Sequence, residues 1–273
     1  MRQSRAAAGL VWRRGRLVAV LSAAVTVALL ALAGVGLAFY YTVHPTGGPA
    51  HTADPGRPTF SGPGASVSDE HQRRDRVASE PMPTIGLDQS RPGRLSTRDP
   101  GHIVLPRTVR LGAADVATGV PQTPEGALAQ LAAIDQAALQ SGSLPGVREV
   151  IVAWAAPGGP TPQSWSGTRA MSEFLTAAGL SAAGDPDLAV VATPLMGLIR
   201  GRVGDGYVVA CVLFEVDATL TTTSRVAAAD CQRMVWQHGR WVIGPGAEPA
   251  PAPSPWPGTD AAIDVGYREL RYG

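Results

Sequence analysis

Chemistry in this chain has few candidate carriers: two cysteines, five histidines and a few acidic residues set among apolar ones. Cys211 and Cys231 lie on two successive strand-like segments, a spacing suited to a cross-strand disulfide in an oxidising compartment. Asp230 and Gln232 flank Cys231. The alternation of their segment places both on its apolar face, where they rim a pocket or reach solvent through strand twist. Glu215 and Asp217 share one strand face, and two such carboxylates suit acid/base work. Arg225, expected opposite Asp217, explains that acid more simply. His44, His51, His71 and His102 fall in or at the end of a proline- and glycine-rich stretch, and His238 falls in a turn. No pair of them has metal-ligand spacing on an expected element. The chain has no Gly-x-Ser-x-Gly elbow and no Walker loop. These residues therefore predict no enzyme, with no catalytic residue, no metal and no cofactor.

The elements that must hold these residues are legible in the periodicity. Thr123-Pro124-Glu125 is a helix start: a hydroxyl cap, proline at the first helical position and an acid in the first turn. Ala127, Leu131, Ile134 and Ala138 follow at helical spacing. Val147, Val150, Ile151 and Trp154 predict a second, short helix, stopped by Pro157-Gly158-Gly159-Pro160. A third begins at Ser164 or Ser166 and carries Met171, Phe174, Leu175 and Ala178 before Gly179. From Leu188 the pattern changes to strands. Leu188 to Arg202 is broken by Pro194, which predicts an edge position or a bulge. Gly204-Asp205-Gly206 turns the chain into Tyr207 to Ala218, whose even positions are all apolar. Ser224 to Gln237 and Arg240 to Ile243 complete an antiparallel meander of four strands. Placing Cys211 opposite Cys231 also sets Asp217 against Arg225, Val216 against Val226 and Val208 against Met234.

The N-terminal part has a different character. Leu17 to Tyr41 is an uninterrupted apolar run of 25 residues. Arg2, Arg5, Arg13, Arg14 and Arg16 precede it, with no acid. This pattern predicts one transmembrane helix, N-terminus inside, and a single-pass plasma-membrane protein with an extracellular C-terminal domain. Beyond it, 18 arginines face 22 acidic residues, a balance that disfavours a nucleic-acid partner. Thr42 to Gly101 holds nine prolines and eight glycines and reads as a disordered linker. The expected organisation is a cytoplasmic basic segment (1–16), the span (17–41), the linker (42–101), an α+β domain (102–249) and a proline-rich tail with a short docking helix (250–273). In that tail Thr259 caps the helix, and Ile263 and Tyr267 share a face.

The strings STRDPGHIVL (96–105), GVPQTPEGALAQLAAID (119–135), AWAAPGGP (153–160), ATPLMGL (192–198), ADCQRMVW (229–236) and WPGTD (256–260) carry a resemblance. They resemble exported domains encoded by actinobacterial plasmids and integrative conjugative elements. Those proteins are described as integral membrane proteins of unassigned activity. The order of helices and strands is also similar to the NTF2-like cone, three helices packed on a four-stranded antiparallel sheet. The resemblance implies a scaffold or assembly protein in conjugative DNA transfer or secretion. Its partners would be the lipid bilayer and other proteins of a membrane complex, with self-association allowed. The alternative it implies is a tethered NTF2-like domain that binds a small ligand. A filled cone favours the scaffold, and a deep pocket with convergent polar groups favours the binder.

Overall fold

The computed structural model describes residues 63–273. Five α-helices and eight strands follow in the order α1 (Pro63–Ser79), β1 (His102–Leu105), β2 (Arg110–Leu111), β3 (Ala117–Thr118), α2 (Pro124–Gln140), α3 (Leu144–Trp154), α4 (Ser166–Ala177), β4 (Ala189–Arg202), β5 (Tyr207–Thr219), β6 (Thr223–Gln237), β7 (Arg240–Ile243), α5 (Asp260–Val265) and β8 (Arg268–Tyr272). Six strands form one curled sheet in the order β1-β8-β4-β5-β6-β7, and β2 and β3 make a separate small pair.

The sheet is mixed, because β1 runs parallel to β8 while the other pairs are antiparallel. The expected fold class, three helices on a four-stranded antiparallel sheet, is thus corrected to five helices and a six-stranded mixed sheet. The strands beyond the expected four are β1 and β8, and β8 is the one without a signal. Its sequence, RELRY, has one buried residue, Leu270, and so lacks the alternation that marks a strand. The tail helix was expected to run on to it, but ends at Gly266, whose φ of 101° lies in the left-handed region.

The membrane expectation is also corrected. Among the described residues no helix is long and apolar enough to cross a membrane. The run Leu17 to Tyr41, its flanking arginines Arg2, Arg5, Arg13, Arg14 and Arg16, and the N-terminal part of the linker lie outside the described residues. The plasma-membrane placement therefore has no support in the fold and is set aside. Within the expected linker, residues 63–101 are docked. Helix α1 lays Val77 over Gly201 and buries Ala78 fully. The Tyr207 hydroxyl donates to the Arg74 carbonyl at 3.1 Å, and the Arg200 guanidinium donates to the carbonyls of Ala78 and Glu80. Arg233, itself buried, pairs with Asp75 at 2.6 Å. Docking largely through backbone carbonyls and one ion pair needs no long apolar stripe, which is why residues 69–76 (DEHQRRDR) sit unmarked within the expected linker.

The β5–β6 hairpin shows every pair expected from the side chains: Cys211 with Cys231, Asp217 with Arg225, Val216 with Val226 and Val208 with Met234. Cys211 and Cys231 are joined by a disulfide, their Cα atoms 4.0 Å apart. Pro194 sits at a register shift in β4, as its missing N–H requires.

Two hydrophobic layers form, one on each face of the sheet. The face carrying Val208, Ala210, Val212 and Phe214 packs chiefly against α2, with α3 and α4 in the same hydrophobic layer. Helix α2 is the keystone. It is buried on several sides, and Gly126 lets its first turn press on the preceding chain, since a Cβ there would meet the Pro121 oxygen at 2.1 Å. Its Thr123 cap accepts from the Gly126 N–H at 3.0 Å. On α3 the four residues at helical spacing, Val147, Val150, Ile151 and Trp154, are the four that are buried. The opposite face carries Cys211, Leu213, Ala227 and Cys231. It is covered by Trp256, Ala262 and Tyr267 of the tail. Residues 80–101 lie alongside that tail, with Trp256 donating to the Gln89 carbonyl and Ser96 to that of Gly258.

Candidate functional site

Strand β6 must present its even positions to the helices if Cys231 is to face the tail. That alternation carries Asp230 and Gln232 to the helix side. Helix α4 begins beside them without a side-chain cap of its own. The Glu248 carboxylate, from the loop after β7, fills that role by accepting from the Ser166 N–H at 2.8 Å and from its hydroxyl at 3.0 Å. Gln232, 1% exposed, donates from Nε2 to Asp230 Oδ2 at 2.8 Å and reaches Ser166 Oγ at 3.3 Å. Ser166 Oγ also lies 3.2 Å from Asp230 Oδ1. Its single proton serves one of two carboxylates.

Of these, Ser166 and Asp230 wall one side of a cavity of about 100 Å³ between the helices and the sheet, with Gln232 and Glu248 behind them. Trp165, Met171 and Phe214 supply apolar wall, and α2 contributes Asp135. Asp135 is 4% exposed, and neither of its carboxyl oxygens has a hydrogen-bond partner. The Trp165 indole N–H and the Thr168 hydroxyl, also on this side of the sheet, are buried without partners too. Buried polar atoms are nearly always paired, because an unmet group keeps its desolvation penalty.

The electrostatics follow from that burial. Desolvation pushes the Asp135 carboxyl well above the usual range, and the neighbouring Asp230 charge adds to the effect. Asp230 is raised to about 7, mainly by burial and further by Glu248. Hydrogen bonds from Gln232, Ser166 and the Cys231 backbone oppose the rise. The site therefore holds two carboxyl groups with different support: Asp230 is solvated by protein donors, and Asp135 by none.

Of the residues singled out from sequence, Asp230 lines the cavity and Gln232 buttresses it. Cys211 and Cys231 lie on the other face as a structural bridge. Glu215 and Asp217 are both paired with Arg225, the Asp217 contact at 3.0 Å, and take no part in the cavity. His71 lies in α1, His102 opens β1 and His238 occupies a turn, all away from the cavity. Asp135, Trp165, Ser166 and Glu248 were not anticipated. For Asp135 a signal existed: it stands four residues after Leu131 and three before Ala138, on the buried stripe of α2. Glu248 left none, because it acts from a loop.

No family model matches the chain, and neither does any curated protein or solved structure.

Proposed function

We propose that the domain binds a small molecule in the cavity between α2, α4 and the sheet. One observation carries this reading: Asp135, almost fully buried, brings two unpaired carboxyl oxygens to the same cavity as Asp230. A folded chain gains nothing from an unmet acid in its core, whereas a bound ligand that donates to it recovers the cost. A pocket with convergent polar groups favours a binder over a filled scaffold, and Asp135, Ser166 and Asp230 converge on this otherwise apolar one. We take the role to be binding without turnover, with Ser166 serving the start of α4, its N–H and Oγ both held by Glu248. The test is a fragment screen read by thermal shift and by the NMR signal of the Met171 methyl group. Ligands should raise the melting temperature of the wild-type protein and lose that effect in Asp135→Leu. A screen with no fragment perturbing Met171 would refute the reading.

A second reading, an assembly module in DNA transfer or secretion, draws on the sheet edge. Strand β1 ends the sheet. Val104 is 49% and Tyr272 of β8 54% exposed there, and an edge of this kind is a surface for pairing with another chain. Crosslinking from Val104 in cells would capture a transfer or secretion component if it serves that purpose. Capture of none while transfer proceeds would exclude it.

A further inference from the structure

The chemical class of the ligand is written in the cavity wall. The charged residues that line it, Asp135 of α2 and Asp230 of β6, are both acidic. Glu248 adds a third acid behind Ser166. The walls from α3, α4 and β5 contribute Val147, Met171 and Phe214, with Trp165 at the start of α4, and no cation. An anion would meet two carboxyl groups and no donor of matching charge. A neutral alcohol offers one donor to the four oxygens of Asp135 and Asp230. An ammonium group offers three donors and no acceptor, and its charge offsets what burial has cost the two acids. Trp165 and Phe214 suit the same ligand, since a cation is stabilised near an aromatic face and a short alkyl body packs against Met171.

We propose that the cavity is a site for a compact primary ammonium ion, its head group between Asp135 and Asp230 and its apolar body against Trp165, Met171 and Phe214. This rests on the ligand-binding reading above and names its ligand class. Size supports it. A cavity near 150 Å³ accepts benzene, so one of about 100 Å³ holds a body of roughly four carbons. The ceiling on affinity per atom then limits such a ligand to about micromolar binding at best. Asp230 loses its proton as pH rises through about 7, so binding strengthens toward mildly alkaline pH. Asp135, Glu248, Ser166 and Gln232 are the polar groups packed around it.

The experiment compares three probes of one shape, n-butylamine, 1-butanol and butyrate, titrated into the domain near pH 8. Heat and the Met171 methyl signal are read together, so that adsorption elsewhere is not counted. The amine should bind with a dissociation constant of about 10 μM to 1 mM, and the other two about tenfold or more weakly. D135N and D230N should each weaken the amine about tenfold and leave the butanol signal nearly unchanged. Each is a separate route to the answer if the other fails to fold. Equal binding of butanol and amine, or amine binding indifferent to both variants, would overturn the ammonium assignment and leave the ligand site standing. Silence from all three probes, with a fragment of another class still moving Met171, would overturn the assignment alone. Silence from every fragment would remove the site itself.

Discussion

The two faces of the sheet solve the same problem in opposite ways. On the tail face, several polar groups are matched. The Tyr267 hydroxyl, buried, donates to the Pro253 carbonyl at 3.0 Å. Arg98 bridges Asp260 and Asp264 at 2.9 and 2.8 Å, and the disulfide lies beneath. On the helix face, Asp135, Trp165 and Thr168 are left unmatched. The first face is closed largely by the chain itself; the second keeps buried polar atoms without partners. Substitutions on the tail face should therefore lower stability, and substitutions at the cavity acids should raise it.

The largest contrast is expected in pH dependence. Asp230 ionises near 3.8 in the unfolded chain and at about 7 in the folded one. Between those values the unfolded state has released its proton and the folded state has kept it, so raising pH favours unfolding. The stability is fully present below about pH 4 and is lost progressively up to about pH 7, by on the order of 2–4 kcal/mol. Asp135, raised in the same direction by burial, adds to the loss. Denaturant titrations across pH 4–8 should show this slope in the wild type and a shallower one in Asp230→Asn, where Asp135 still contributes. An unchanged slope in that variant would place the effect elsewhere.

Next comes the disulfide. C211A/C231A releases a loop of sequence separation 20 and should lower stability by about 3 kcal/mol, measured as the shift in denaturation midpoint. Asp135→Leu should move the other way, raising stability by about 1–3 kcal/mol near pH 8, because it replaces an unpaired acid with an apolar side chain. A loss of stability there would mean that the carboxyl is paired in solution. The smallest effect is expected from Tyr267→Phe, a loss of about 1–2 kcal/mol from the orphaned Pro253 carbonyl, seen as a lowered melting temperature.

How far the sequence could be read depended on whether a residue's role was local. Helices α2 and α3 and the β5–β6 register are set by spacing within a few residues, and all were legible. Asp230 and Gln232 could be assigned a face by alternation alone. Strand β8 could not, because its partner β1 lies far away in sequence and RELRY carries no pattern of its own. Helix α1 was missed for the same reason: its contacts are made by Arg200, Tyr207 and Arg233 from the sheet. Within the site, Glu248 is legible only in three dimensions, since nothing near it in sequence foretells the start of α4.

The pairing of β1 with β8 has a consequence in time. The β5–β6 hairpin closes over a few residues and can form within microseconds. Strand β1 must wait for β8, whose residues follow it by well over a hundred positions; Ile103, for example, pairs with Leu270. Closing so long a loop yields no reward until both ends arrive, which slows folding. During synthesis the first strand therefore spends the whole interval without its partner.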